Sequence, residues 1–418
     1  MNDRELLADL FKAAVAAADP TEGIRRHLPT PGKSGRTVVV GAGKGAAQMA
    51  AALEDLWDGP LSGVVVTRYG YGCATRNVAI LEAAHPVPDA AGLVASQRLF
   101  DVVSDLAEDD LVIALICGGG SALLPAPPAG LTLADEVALN EELLASGAPI
   151  SAMNVVRKHL STIKGGRLAA ATQARVVSLI VSDIPGDNPA FVASGPTVPD
   201  STTRQDALDI VVQYGLRLPE RMLAHLQSPA ADAPRPDDAV FSRNEHHVIA
   251  SAAVSLEAAA EVARRHGIHA HILSDSIEGE AQDVARVHAA IAREICDRNR
   301  PFQRPAILLS GGETTVTLDG RGGRGGRNGE FALSLALSID GYPVVALAAD
   351  TDGIDGSEAN AGAFADGSSV RRLRARDLDA RLVLAGHDSF TAFEAIDDLF
   401  VTGPTGTNVN DFRAILVR

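Results

Sequence analysis

The run RTVVVGAGKGAAQMAAALEDLW, residues 36–57, decides the fold. It opens with a short, almost wholly apolar stretch, breaks at Gly41-Ala42-Gly43-Lys44-Gly45, and resumes with apolar residues at helical spacing as far as Trp57. Strands covered on both faces read this way, so a parallel sheet flanked by helices is expected. Further strings of the same kind follow: GVVVT, VAILEA (78–83), LVIALIC (111–117) and VVSLIVS (176–182). Helical patterns separate them, one after Asp89 and two over LADEVALNEELLAS and SAMNVVRKHLSTIKGGRLAAAT. A doubly wound, Rossmann-like domain is therefore expected over residues 1–235. SPAADAPRPDD (228–238) holds three prolines and no periodicity, which suits a boundary or hinge. Beyond it HHVIA, IHAHIL, AILLS, TTVTL, PVVALAA, DLFVT and RAILV alternate with helices, giving a second, smaller α/β domain over 236–418.

Composition narrows the function. Of 418 residues 46% are hydrophobic but only 4% aromatic, so the cores are aliphatic. A net charge of −16 without a basic run argues against a nucleic-acid groove or an anionic membrane surface. No apolar run is long enough for a membrane span, and the acid-bearing amphipathic start is unlike a secretory signal. Cys73, Cys117 and Cys296 form no C-x-x-C pair, against a disulfide framework or zinc site and in keeping with a reducing cytoplasm. The partner expected is a small molecule, with a homodimer as the assembly the sequence leaves open.

In open α/β sheets ligands bind beyond the carboxyl ends of strands, and polar turns recur there. Gly43, Lys44 and Gly45 place a lysine in a glycine turn that opens a helix, an anion site. The turn fits G-x-G-x-x-A, but no acid for a ribose follows; Arg68 ends the next strand instead and suits a 2′-phosphate. A Walker A loop fails because Val38 stands where a glycine belongs and Gly45 where a Ser or Thr does. Gly118-Gly119-Gly120-Ser121 is expected to form an anion nest. Asn154, Arg157, Lys158, Ser161 and Lys164 share one helix face, read either as solvated or as basic lining. Asp183 and Asp187 offer carboxylates for a metal or a general base, with capping as the alternative. Gly311-Gly312-Glu313-Thr314 reads as a further turn. Residues 320–330 carry three arginines and six glycines before a helix, with Arg324 or Arg327 as the clamp. Asp350 and Asp352 could hold Mg²⁺. The loop Thr402–Asp411, with Asn408, serves a ligand or is a plain turn. His85 and Cys117 read as structural.

Together GAGKGAAQMA, HPVPD, CGGGSALL, MNVVRKHLSTIKGGRLA, VSDIPGD, ASGPTVPD, LLSGGETTV, GGRNGE, ADTDGIDG and TGPTGTNVND resemble the glycerate 2-kinase family, whose second domain is called MOFRL. The resemblance runs from about Leu6 to the C-terminus. It implies ATP- and Mg²⁺-dependent phosphorylation of the 2-hydroxyl of D-glycerate in a cleft between two α/β domains. It places the cleft lysine on Lys44, the cleft arginine within GGRGGRNGE, and the acidic turns on Asp183 with Asp187 and Asp350 with Asp352. Among these, Asp187 is the favoured base and Asp350 or Asp352 the metal holder. The residues call independently for phosphoryl transfer, which needs amide cradles, cations and carboxylates more than covalent chemistry. Some members carry the label hydroxypyruvate reductase, so an NAD(P)H-dependent reductase is the runner-up, followed by a non-catalytic binder of acids or sugar phosphates.

Overall fold

A computed structural model describes residues 2–32, 35–318, 320 and 322–418. The chain forms two compact α/β units, Pro20–Ile249 and a second made of Met1–Asp19 with Ala250–Arg418. No helix among the described residues is long and apolar enough to cross a membrane.

The Pro20–Ile249 unit holds β1 (Thr37–Ala42), β2 (Ser62–Arg68), β3 (Val78–Ala83), β4 (Leu111–Cys117), β5 (Arg175–Val181) and β6 (Glu245–Ala250), in the order β3-β2-β1-β4-β5-β6. β1 pairs in parallel with both β2 and β4, so the strand order reverses between β1 and β4 and opens a crevice beyond their carboxyl ends. Every residue of β1 and β4 is buried, the cause of their unbroken apolar reading. HHVIA, read as the start of the second domain, is instead the sixth strand here. The proline-rich stretch is also held within this unit: the Ala231 carbonyl lies 2.7 Å from His159 Nδ1 and accepts Arg167 Nη2 at 3.0 Å. Those bonds tie down a segment that composition alone presents as loose.

The other unit holds β7 (His269–Glu280), β8 (Ala306–Thr315), β9 (Val344–Asp350), β10 (Gly362–Asp366), β11 (Leu399–Phe400) and β12 (Asp411–Val417), ordered β11-β10-β9-β12-β8-β7. β12 lies antiparallel between β8 and β9, pairing Asp411 with both Gly312 and Asp350. Gly311 and Gly312 are therefore strand residues, not a turn: AILLS and the start of TTVTL belong to one strand whose partner comes from the far end of the chain. Helix Asp3–Ala17 buries Leu6, Leu7, Leu10 and Phe11 in this unit's core with Leu256, Leu309 and Phe412.

Candidate functional site

Two constellations occupy the strand ends, one in each unit. In the Pro20–Ile249 unit the turn after β1 is locked against its neighbours. Gly43 N donates to Val66 O at 3.1 Å, Lys44 N to Gly118 O at 2.8 Å, and Gly45 N to the Cys117 thiol at 3.2 Å. Thr67 Oγ1 donates to Lys44 O at 3.0 Å. Gly43 has φ +137°, and a Cβ there would run into Cys117. The amides that a dinucleotide fingerprint would offer are thus spent on holding Lys44 in place.

The glycine turn after β4 behaves differently. Among the described residues no backbone carbonyl takes the N–H of Gly119 or Gly120. Gly119 is left-handed at φ +79°, and a Cβ there would stand 3.0 Å from Lys44 Cγ and 3.1 Å from His85 Nε2. Lys44 and His85 therefore converge on the open amides. Arg68 lies over the Tyr71 ring at 3.5 Å, and its Nε is buried without a hydrogen-bond partner. Burial, then the Lys44 and Arg68 charges, pull the His85 imidazole down to about 4, so it is neutral at pH 7. The Asp183 carboxylate lies against Gly118, where it would meet any added Cβ. Asp187, half-buried, ends a short 3-10 turn at φ +52°, a strained conformation for a non-glycine residue. Open amides and two cations among small residues suit a phosphate group.

Ser121 is reached by a polar chain rather than by the amide cradle, its Oγ lying 2.9 Å from Ser194 Oγ. Lys164 is not at this site. It is buried with Nζ on Glu136 Oε1 at 2.5 Å and Leu124 O at 3.1 Å, so the basic face of its sequence neighbourhood is part core. Lys158 is likewise buried, paired with Asp200 and 4.4 Å from the Phe191 ring, and burial lowers its ammonium to about 7. Cys117 stays a buried thiol, raised to about 12 chiefly by burial.

In the other unit Arg327 gathers three carboxylates. Its Nε donates to Asp411 Oδ1 at 2.7 Å, Nη2 to Asp350 Oδ2 at 2.8 Å and Nη1 to Glu313 Oε1 at 2.9 Å. Beneath them the fully buried Arg413 pairs with Asp411 and donates to Thr314 Oγ1 at 3.0 Å. One guanidinium cannot neutralise every acid it touches. Asp411 keeps its charge despite burial because two arginines flank it, and its carboxyl is lowered. Asp350 does not: burial, with Asp352 and Asp411 as like charges, outweighs Arg327 and raises it to about 8. Asp355 receives the N–H groups of Asn328 at 2.9 Å and Gly329 at 2.8 Å at the start of helix Arg327–Ser338, and burial lifts it to about 6.

The remaining sequence candidates divide. Glu313 joins the cluster through Arg327, whereas Gly311 and Gly312 build the strand beneath it. Arg324 stands apart, stacked 4.1 Å from the Phe390 ring and paired with Glu358 at 2.8 Å. Asn408 accepts the N–H of Asn410 at 3.0 Å and stabilises its own loop. Asp350 and Asp352, expected to hold a metal, are engaged within the protein: Asp350 binds Arg327 and the Asp352 N–H, while Asp352 accepts the Ile354 N–H at 2.8 Å. Among the described residues no three His, Cys, Asp or Glu side chains converge as metal ligands. Asp411 and Arg413 were missed because TGPTGTNVND reads as a loop and RAILV as an ordinary buried strand. A buried Arg within a C-terminal apolar run was the available signal.

A Rossmann-order sheet ending in an anion-ready turn, and a mixed sheet ending in an arginine-carboxylate cluster, define a two-unit α/β protein equipped for anionic small molecules. A family model described as a domain of unknown function, DUF4147, matches residues 6–227, and the MOFRL family model matches residues 306–411. An Agrobacterium vitis protein provisionally named hydroxypyruvate reductase is 51% identical over 99% of this chain and 94% of its own. The glycerate 2-kinase of Pyrococcus horikoshii is 39% identical over 100% of this chain and 98% of its own. The crystal structure of glycerate kinase from Thermotoga maritima matches with a TM-score of 0.89 at 37% identity, over 99% of both chains. The chain belongs to the glycerate 2-kinase family, in which a DUF4147 domain is joined to a MOFRL domain.

Proposed function

We propose that the protein transfers the γ-phosphoryl group of ATP to the 2-hydroxyl of D-glycerate, giving 2-phosphoglycerate and ADP. The observation that carries the reading, beside full-length kinship with glycerate kinases, is the convergence of Lys44 and His85 on the Gly119 turn, whose amides no backbone carbonyl takes among the described residues. Phosphoryl transfer asks chiefly for positioning and for neutralisation of charge spread over phosphate oxygens. In this reading Lys44 meets the charge that develops on transfer, the Gly118–Gly120 turn holds phosphate oxygens, and neutral His85 donates or accepts a hydrogen bond. Asp187 takes the hydroxyl proton, with Asp183 beside the turn orienting the acceptor. Mg²⁺ bound with the nucleotide would supply charge neutralisation on the phosphates. Arg327 and its carboxylates act in the same reaction, so groups of both units are required. Phosphorus NMR of the product from D-glycerate, ATP and Mg²⁺ tests this directly: a 2-phosphate resonance is expected, and a 3-phosphate or no phosphorylated acid refutes it.

The reductase reading has one observation in its favour beyond a relative's name, the β3-β2-β1-β4-β5-β6 order shared with dinucleotide-binding sheets. Against it, the Gly43 and Gly45 amides are already committed within the protein. Hydroxypyruvate should cause no oxidation of NADH or NADPH.

A further inference from the structure

Helix Ile150–His159 carries a half-buried guanidinium that, among the described residues, has no acid of its own. Arg157 Nε donates to Asn140 Oδ1 at 2.8 Å and Nη1 to Asn154 Oδ1 at 3.2 Å, both neutral amide oxygens. The acid whose charge it feels is Glu136, but that carboxylate already accepts Lys164 Nζ at 2.5 Å and Ala126 N at 3.1 Å. Burial accordingly lowers the Arg157 guanidinium from its ordinary value. A partly desolvated cation held by amide oxygens alone still has charge to offer an anion, since buried or half-buried cations are normally paired.

The same polar chain leads to the glycine turn. Asn154 Oδ1 also accepts Ser194 Oγ at 3.1 Å, and Ser194 Oγ lies 2.9 Å from Ser121 Oγ, directly after Gly118–Gly120. The backbone that presents Ser194 is strained: Ala193 and Ser194 are both left-handed, at φ +52° and +61°. Strain of that kind persists where surrounding structure enforces it and concentrates at ligand sites. Among the described residues no protein acceptor occupies Arg157 Nη2, and it is not sealed from solvent.

We propose that Arg157, positioned by Asn140 and Asn154, forms with Ser121 the subsite for the carboxylate of the hydroxy-acid acceptor, beside the amides that hold the phosphoryl donor; Asn154 itself is committed, its Nδ2 donating to Phe191 O at 3.3 Å. The inference rests on the glycerate kinase reading and deepens it by assigning the acceptor's charged end. An arginine fixed at two of its nitrogens presents the third, Nη2, in a set direction, whereas a lysine in its place would supply charge without that geometry. Specificity for acids over neutral polyols follows.

The test is steady-state kinetics with full-length protein, varying D-glycerate and ATP separately. Arg157→Lys should raise KM for D-glycerate by about 10- to 100-fold, the scale of one charge-assisted hydrogen bond, with KM for ATP unchanged. Asn140→Asp keeps the packing and places a carboxylate on Arg157 Nε; it should raise KM for D-glycerate in the same direction while its melting temperature stays at or above wild type. Because Asn140→Asp is nearly isosteric, it decides the matter if the lysine variant fails to fold. An unchanged glycerate KM in Asn140→Asp, or a rise in KM for ATP in place of glycerate, overturns the assignment. Failure of the wild-type protein to phosphorylate D-glycerate would instead overturn the function on which it rests.

Discussion

Arg327→Gln removes the charge that three carboxylates share, and its cost should depend on pH in a direction the structure fixes. Glu313 is more than half exposed and loses little; Asp411 retains Arg413. The acid left stranded is Asp350, whose side chain is 8% exposed. Breaking a buried pair by removing one partner costs about 3–5 kcal/mol, and since Arg327 is itself 23% exposed the lower end applies, about 3 kcal/mol. The Asp350 carboxyl is raised in the folded protein from 3.8 to about 8. A raised carboxyl contributes its full stability below the unfolded value and loses it as pH climbs through the folded one. Without Arg327 that loss steepens, so the variant should be about 3 kcal/mol less stable at pH 9 and only about 1.5 kcal/mol less at pH 6, where Asp350 is protonated in both proteins. For a unit of this size the pH 9 deficit corresponds to a fall of about 6–12 °C in the melting temperature. Scanning calorimetry at the two pH values measures it. An equal fall at both, or a larger one at pH 6, would show that Arg327 acts by packing and not by neutralising Asp350.

Three further outcomes are expected. Lys44→Met should melt like wild type yet lose about two orders of magnitude in phosphorylation rate, the scale of one electrostatic stabiliser; wild-type turnover would remove Lys44 from the mechanism. Gly119→Ala should cost about 1 kcal/mol for its left-handed backbone and, by pressing on Lys44 and His85, lower kcat more than it lowers stability; intact kcat would show that the turn is not the phosphate seat. In Asp187→Asn, kcat should fall at every Mg²⁺ concentration, whereas full recovery at high Mg²⁺ would give Asp187 to the metal in place of the proton.

The elements most legible in the sequence were those whose environment is uniform along the chain. β1, β4 and β5 are buried on both faces, so their apolar runs announce a parallel sheet, and the glycines that end β1 and β4 mark the crevice without knowledge of the partners. Gly311 and Gly312 misled because glycine inside a strand looks like punctuation when the strand that covers it, β12, lies about a hundred positions away. Lys164 misled for a related reason: helical spacing locates a face, but only Glu136, from another helix, decides whether that face meets water or core. Arg157 shared the same face and the same ambiguity, and its lack of a carboxylate became visible only once its neighbours were placed. The arginine of GGRGGRNGE could be narrowed to Arg324 or Arg327 by sequence; what separates them is Asp411, at the start of a strand no local pattern connects to either.

Helix Asp3–Ala17 also sets a problem of timing. Ser255 Oγ donates to the Ala14 carbonyl across 241 positions of chain, and the whole Pro20–Ile249 unit is made in between. At about 5–20 residues per second the helix leaves the ribosome on the order of tens of seconds before the residues that cover Leu7, Leu10 and Phe11. During that interval an apolar face waits beside a domain that is already complete and has no use for it. An exposed apolar helix face is an aggregation hazard until Leu256, Leu309 and Phe412 are made and cover it.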